Sequence, residues 1–159
     1  MDPLLRILKT NAQTPLADIA KELDLPEEEV KTRILALEQE GSILGYQAVL
    51  DPEKTSNGDV TALIEVKIAP ERGGGFDRLA SRIAKFQEVQ SCYLMSGGFD
   101  LLVVVEGGNL REVARFVAEK LSTIKGVLST ATHFRLKAYK ENGAMLQRET
   151  RVSRLAVAP

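Results

Sequence analysis

One cysteine and one histidine in 159 residues leave little reactive chemistry. A lone cysteine cannot close an internal disulfide, which excludes a small secreted scaffold built on such bonds. The pair cannot supply a His/Cys metal cluster either, so no metal site and no cofactor are expected. Neither Gly-x-x-x-x-Gly-Lys-Ser/Thr nor Gly-x-Ser-x-Gly occurs, and Gly73-Gly74-Gly75 runs into Phe76-Asp77 instead of a lysine and a hydroxyl. The longest purely apolar run, Leu101 to Val105, is far short of the ~18 residues a membrane span needs. The start, Met1-Asp2-Pro3-Leu4-Leu5-Arg6, is charged too early for the apolar core of a signal peptide, so the expected compartment is the cytoplasm. With these absences an enzyme is not the first expectation.

What is present is balanced. Hydrophobic residues make up 44% and charged residues 27%, with a formal net charge of −1, which suits a globular chain of one ordinary domain or two small ones. The patterning favours two, divided near residue 57: 1–57, 58–141, and a tail over 142–159.

Residues 1–50 read as short helices. Leu4, Leu5 and Leu8 recur at helical spacing beside Ile7. Thr14-Pro15 is a helix start, with Thr14 as N-cap and Pro15 at the first helical position. Leu16, Ile19, Ala20 and Leu23 follow as one apolar stripe. Pro26 opens a third helix, with Glu27, Glu28 and Glu29 in its first turn and Val30, Ile34 and Leu37 as its apolar face. Gly41 is a plausible stop. Ile43 to Leu50 carries strand formers and predicts a small β-ribbon, and Ser56-Asn57-Gly58-Asp59 reads as a linker.

Beyond residue 59 the period changes to two. Val60, Ala62, Ile64, Val66 and Ile68 alternate with Thr61, Leu63, Glu65 and Lys67, a strand that Pro70 to Gly75 ends. A helix over Phe76, Leu79, Ala80, Ile83 and Phe86 follows, then strands Val89–Met95 and Phe99–Glu106 about a tight hairpin at Ser96-Gly97-Gly98. Asn109 and Glu112 have capping-box spacing ahead of a stripe of Leu110, Val113, Ala114, Val117 and Leu121. Gly126 ends that helix, and Val127–Tyr139 is the last strand. The order β-α-β-β-α-β predicts an α+β, ferredoxin-like domain with an antiparallel sheet and both helices on one face. Leu101–Val105 is apolar on both faces, and a strand reads that way when both are covered. The helices cover one face, and another subunit is inferred to cover the other.

Three helices and a ribbon form the pattern of a winged helix-turn-helix, whose third helix enters the DNA major groove. Lys31, Thr32 and Arg33, off the apolar stripe of that helix, and Lys21 on the preceding one are the candidate DNA contacts. Charge opposes them. Residues 1–56 hold six basic and eleven acidic side chains, net −5, whereas residues 57–159 hold fifteen and eleven, net +4. DNA affinity rests largely on neutralising phosphate, so an acidic head predicts weak or multivalent binding. Glu27–Glu29 also read as dipole-complementing residues on a solvated face, and the trihelical unit as a docking domain without DNA.

Leu16-Ala17-Asp18-Ile19-Ala20, the helix Val30 to Leu37 and Glu38-Gln39-Glu40-Gly41-Ser42-Ile43-Leu44-Gly45-Tyr46 resemble the DNA-binding half of the Lrp/AsnC (feast/famine) transcriptional regulators. Ser96-Gly97-Gly98-Phe99-Asp100-Leu101-Leu102 and Gly126-Val127-Leu128-Ser129-Thr130-Ala131-Thr132 resemble that family's effector domain. The resemblance spans about residues 3–141. It implies an amino-acid-responsive regulator that binds double-stranded operator DNA, dimerises through the ferredoxin-like domains and assembles further, commonly to octamers. It also implies an effector crevice between subunits, which maps to Met95, Ser96, Gly97, Gly98, Phe99 and Asp100, with Thr130 and Thr132 on its other side. Pro26-Glu27-Glu28-Glu29 departs from the family's usual Ser/Arg-rich reading helix.

The chemistry of those residues is suitable. Glycines let backbone N–H groups approach a carboxylate, Asp100 offers a counter-charge to an α-amino group, and threonine hydroxyls serve either end. Structural readings remain open beside this one. Gly97-Gly98 can serve hairpin geometry, Asp100 can cap local backbone, and Thr130 and Thr132 can be ordinary strand residues. His133 faces away from the helices, and Cys92 reads as a small core hydrophobe. Arg148, Arg151 and Arg154 make the tail basic. Two rival functions stay in view. One is an enzyme resembling the sirohaem decarboxylases, which share this two-domain outline, with His133 and Arg135 as its actors. The other is a ligand-sensing oligomer that has lost DNA binding.

Overall fold

The computed structural model describes residues 1–55, 57–69 and 75–146. The basic tail expected to carry Arg148, Arg151 and Arg154, and the strand-ending stretch 70–74, lie outside them. The chain forms two compact units. One comprises residues 1–50 and, among the described residues, 140–146; the other comprises 51–139.

The first unit contains α1 (Pro3–Thr10), α2 (Leu16–Leu23) and α3 (Glu27–Gln39) around a core of Leu4, Leu8, Ile19, Ala20 and Val30, with Ile34 and Leu37 packed against it. The expected stripes therefore hold, except that Leu16 is exposed at the rim. Asp2 caps α1, its carboxylate accepting from the Leu4 N–H at 2.8 Å. Thr14 does not cap α2: its hydroxyl donates to the Asn11 carbonyl at 2.7 Å, which closes the preceding turn instead. Asp24 ends α2 in the left-handed region at φ 52°, and Gly41 follows α3 at φ +80°, where glycine carries no Cβ penalty. The β-ribbon expected over Ile43–Leu50 is not formed. The segment has no regular structure, and no described strand pairs with it to make a ladder. Near the other end of this unit β5 (Lys140–Glu141) and β6 (Ala144–Met145) pair across Asn142-Gly143, both at positive φ, the arrangement an Asn-Gly hairpin turn requires.

The second unit opens with a short helix, α4 (Pro52–Thr55). Next come β1 (Val60–Ile68), α5 (Gly75–Ile83), β2 (Val89–Leu94), β3 (Leu101–Gly107), α6 (Leu110–Arg115) and β4 (Val127–Phe134). The sheet order β2-β3-β1-β4 is antiparallel throughout, the expected ferredoxin-like topology. Ala62, Ile64, Val66, Leu101, Val103 and Val105 are buried beneath the helices, with Ile83, Val113, Phe116 and Leu121 facing them. The second helix does not run as one α-helix. After Arg115 it continues as a π-helix over Phe116–Leu121, closed by Ser122 N–H donating to the Val117 carbonyl at 2.8 Å. The wider turn puts Phe116 and Leu121, five residues apart, into the core together. The expected stripe is rearranged accordingly: Ala114 and Leu110 are exposed and Val117 is only half-buried.

Two strand ends also differ from expectation. β4 stops at Phe134, opposite Ala62; the Arg135 N–H still donates to the Thr61 carbonyl at 2.9 Å, and residues 137–139 run past the start of β1 at Val60. β3 starts at Leu101 and not at Phe99, so residues 95–100 form a loop wider than a tight hairpin.

Candidate functional site

In the first unit α3 presents Lys31, Thr32 and Arg33 exposed, with Thr32 on the side away from the buried Val30. Local partners restrain two of them. The Arg33 guanidinium donates to Glu29 Oε1 at 2.7 Å, one turn back, and both side chains stay about half exposed. The Thr32 hydroxyl donates to the Glu28 carbonyl at 2.8 Å. Lys31 and, on α2, Lys21 are exposed. The three glutamates of the first turn are exposed too, so α3 offers DNA an acidic N-terminus and a cation that is already paired.

In the second unit the loop 95–100 is tied back to the sheet. The Met95 N–H donates to the Asp100 carbonyl at 2.8 Å, and the Asp100 N–H donates to the Val66 carbonyl at 3.0 Å. Asp100 Oδ2 accepts from the Ile68 N–H at 2.7 Å. That N–H points to the β3 side of β1, beyond the last β1–β3 pair, Val66–Leu101, while the Asp100 carbonyl is taken by Met95, so the carboxylate extends a ladder that backbone alone leaves short. Asp100 thus performs the backbone-capping role. Ser96, Gly97 and Gly98 are exposed, and Phe99 is half-buried. Gly97 adopts φ +132°, which favours glycine, but Gly98 has no such φ, and a Cβ there would meet nothing within 4 Å.

The register locates the threonines. Leu101, Val66 and Thr130 lie in one line across three strands, and Val103, Ile64 and Thr132 in the next. Thr130 is therefore at the same end of the sheet as the loop, two strands away, or roughly 10 Å at ordinary strand spacing. Both threonines share the helix-side face with Val66 and Ile64, and Thr130 Oγ1 lies 3.4 Å from Ser122 Oγ. Thr130 shares the loop's end of the sheet, whereas Thr132 lies two residues farther along β4, level with the middle of β1.

The opposite face of this sheet carries Leu63, Leu102, Val104 and Tyr93 in adjacent register positions, none of them fully buried, with Tyr93 52% exposed. Beside them Leu63, Leu102, His133, Leu136 and Tyr139 line a shallow recess of about 450 Å³. Leu136 is 96% exposed, so its apolar side chain faces water at a free-energy cost. His133 lies on this face as expected, its Nε2 3.3 Å from Glu65 Oε1. The Arg135 guanidinium donates to the Thr61 hydroxyl at 2.9 Å. Cys92 sits on the helix side, and burial pushes its thiol pKa up, which suits the packing role. Among the described residues no group of three or more His, Cys, Asp or Glu could hold a metal ion, and no helix is long and apolar enough to cross a membrane. The sequence reading missed Glu65, Leu136 and Tyr139 as members of the open face. Period-two alternation contained the first, whereas the other two lie beyond the end of β4.

Comparison with known proteins places these observations. The family profile described as the Lrp/AsnC ligand binding domain matches residues 61–145. The chain is 48% identical over 157 residues to the uncharacterized HTH-type transcriptional regulator YugG of Bacillus subtilis, covering 98% of this chain and 95% of that protein. It is 31% identical to a proline dehydrogenase transcriptional activator of Rhizobium radiobacter, covering 88% of this chain and 89% of the relative. Among solved structures, a transcriptional regulator of Neisseria meningitidis in complex with L-Met superposes with a TM-score of 0.68 at 25% identity, covering 89% of this chain and 93% of the other. An AsnC family regulator of Agrobacterium tumefaciens gives a TM-score of 0.68 at 28% identity, covering 89% and 94%.

Proposed function

The chain belongs to the Lrp/AsnC family of transcriptional regulators, and on that premise we propose how its two units divide the work. The helical unit binds operator DNA, with α3 in the major groove and Lys31, Thr32, Arg33 and Lys21 as contacts. The sheet unit pairs with a second copy through its open face and takes up an amino-acid effector in a crevice around Met95–Asp100, Thr130 and Thr132. The protein works in the cytoplasm, and no catalytic step is assigned to it: His133 and Arg135 are engaged with Glu65 and Thr61 on the face given to assembly.

One observation carries this reading: the ligand-binding profile covers the sheet unit of a chain whose other unit presents an exposed third helix. The loop supports it. Gly98 has open space around it and no backbone reason to be glycine, which suits a position where a ligand or second subunit approaches closely. Effector and DNA binding are coupled only if the effector prefers one arrangement of the subunits.

A thermal-shift screen against the twenty amino acids, followed by gel shifts on DNA upstream of its own gene across a salt series, tests both halves. One amino acid should raise the melting temperature and change the fraction of DNA bound. Failure to bind DNA even at low salt would remove the first half. The Glu29–Arg33 pair favours a second reading, a sensing oligomer without DNA contacts. Glu29→Gln decides between them: for a DNA-binding head it should release Arg33 and tighten DNA binding, on the order of threefold to tenfold at low salt. For a head without DNA contacts it changes nothing.

A further inference from the structure

At the loop end of the sheet, α5 and the turn before β4 enclose a recess of about 250 Å³. Its floor is apolar and buried, formed by Ile68 and Leu79. Its walls carry three cations, Arg78, Arg82 and Lys125, and among the described residues no acidic side chain lines it. Arg78 and Arg82 are one helical turn apart on the same face, a spacing at which like charges repel. Neither they nor Lys125 form an ion pair with another described residue. Gly75 at the rim is the first residue of the nine-residue α5, so the positive end of that helix adds to the field.

We propose that this recess is a binding site for a small organic anion bearing at least two negative charges on a short apolar stem. The chemistry sets each requirement. Two guanidinium groups offer planar forks that match carboxylate or phosphate oxygens, and Lys125 adds a point charge. An anion relieves the repulsion among the three. Ile68 and Leu79 cover a methylene stem but do nothing for bare phosphate. The volume lies below the usual range for drug-sized ligands, which limits the occupant to a few carbons. The site differs from the amino-acid crevice proposed above, and it stands whether or not that crevice is correct.

Isothermal titration of the full chain with glutarate, glycerol 3-phosphate and inorganic phosphate, each at ionic strength matched with sodium chloride, tests it. Glutarate or glycerol 3-phosphate should bind more tightly than inorganic phosphate, and the tighter of the two identifies the ligand as a dicarboxylate or a phosphate monoester. Arg82→Gln should weaken that binding about tenfold, and Arg78→Gln with Arg82→Gln should abolish it. Both arginines are exposed, so the melting temperature of the unliganded variants should not move. Gly98→Ala, in the amino-acid crevice, should leave anion binding unchanged. No heat above the chloride control overturns the proposal. Equal binding by the double variant overturns it as well, and so does a double variant that changes only sedimentation, because the cations then serve a subunit contact.

Discussion

Asp100 shows how one side chain can serve a fold and a family motif together. Its position beside two glycines suggests a ligand contact, yet its Oδ2 holds the Ile68 N–H at 2.7 Å. Removing that oxygen leaves the N–H of buried Ile68 with no replacement, which costs about 1–3 kcal/mol. Asp100→Ala should therefore lower the denaturation midpoint in urea with an unchanged slope, and Asp100→Asn, which keeps an acceptor oxygen, should recover most of the loss. An alanine variant of wild-type stability would show that the bond contributes nothing. The sequence allowed both roles for Asp100 and could not choose, because Ile68 is 32 residues away and only the β1–β3 register brings it into reach. Asn109 was readable because its partner is local: its side chain accepts from the Glu112 N–H at 3.0 Å. The Glu112 carboxylate reaches back to the Gly108 N–H at 2.9 Å, one residue earlier than a standard capping box.

At the scale of elements, that cap starts a helix of only six α-helical residues before the π-helix begins, so its share of the helix's stability is large. Asn109→Ala should cost about 1 kcal/mol and Asn109→Ser little, measured by chemical denaturation. Farther along, Lys120 on the π-helix hydrogen-bonds Glu88 in the turn before β2 and lies over the Phe86 ring, which meets Phe116 edge-to-face at 5.5 Å. The Lys120 hydrogen bond holds the Glu88 carboxyl below the usual range, with the backbone bond second. A depressed carboxylate pKa stabilises the fold above its unfolded value, and that increment disappears as pH falls through the folded one. Lys120 is about half exposed and Glu88 about a third, so the effect is below about 1 kcal/mol. Lys120→Met should reduce stability at neutral pH and match the parent at strongly acidic pH, where Glu88 is protonated in both. The legible elements were those with a strong period and local ends. Val60–Ile68 was expected and found residue for residue, because its alternation meets a buried face. Ile43–Leu50 has strand-forming residues but pairs with no described strand, and composition cannot supply a partner. The π-helix escaped for a related reason: a 3.6 period assigned Val117 to the core, whereas the wider turn buries Phe116 and Leu121, five residues apart.

For the whole molecule, the decisive feature is a sheet with one face under helices and the other carrying Leu63, Leu102, Val104 and Tyr93. An antiparallel sheet that meets water on one face normally alternates apolar with polar residues, and β3 does not. A second copy of the same face is the economical cover, since a twofold contact needs only one self-complementary surface. Leu102 gives a clean test because its register partner on β1 is Glu65. In Leu102→Lys the new ammonium lies opposite that carboxylate, a favourable cross-strand pair, so the protomer keeps its fold. Two such faces pressed together would bury the lysine of each copy, and a buried cation is costly. Sedimentation equilibrium at micromolar concentrations should find the parent as a dimer and Leu102→Lys as protomers, with the same far-ultraviolet circular dichroism for both. If the subunit crevice is the effector site, the variant also loses the amino-acid-dependent rise in melting temperature. A variant that stays dimeric would place the subunit contact on another surface and remove the physical basis for a shared crevice.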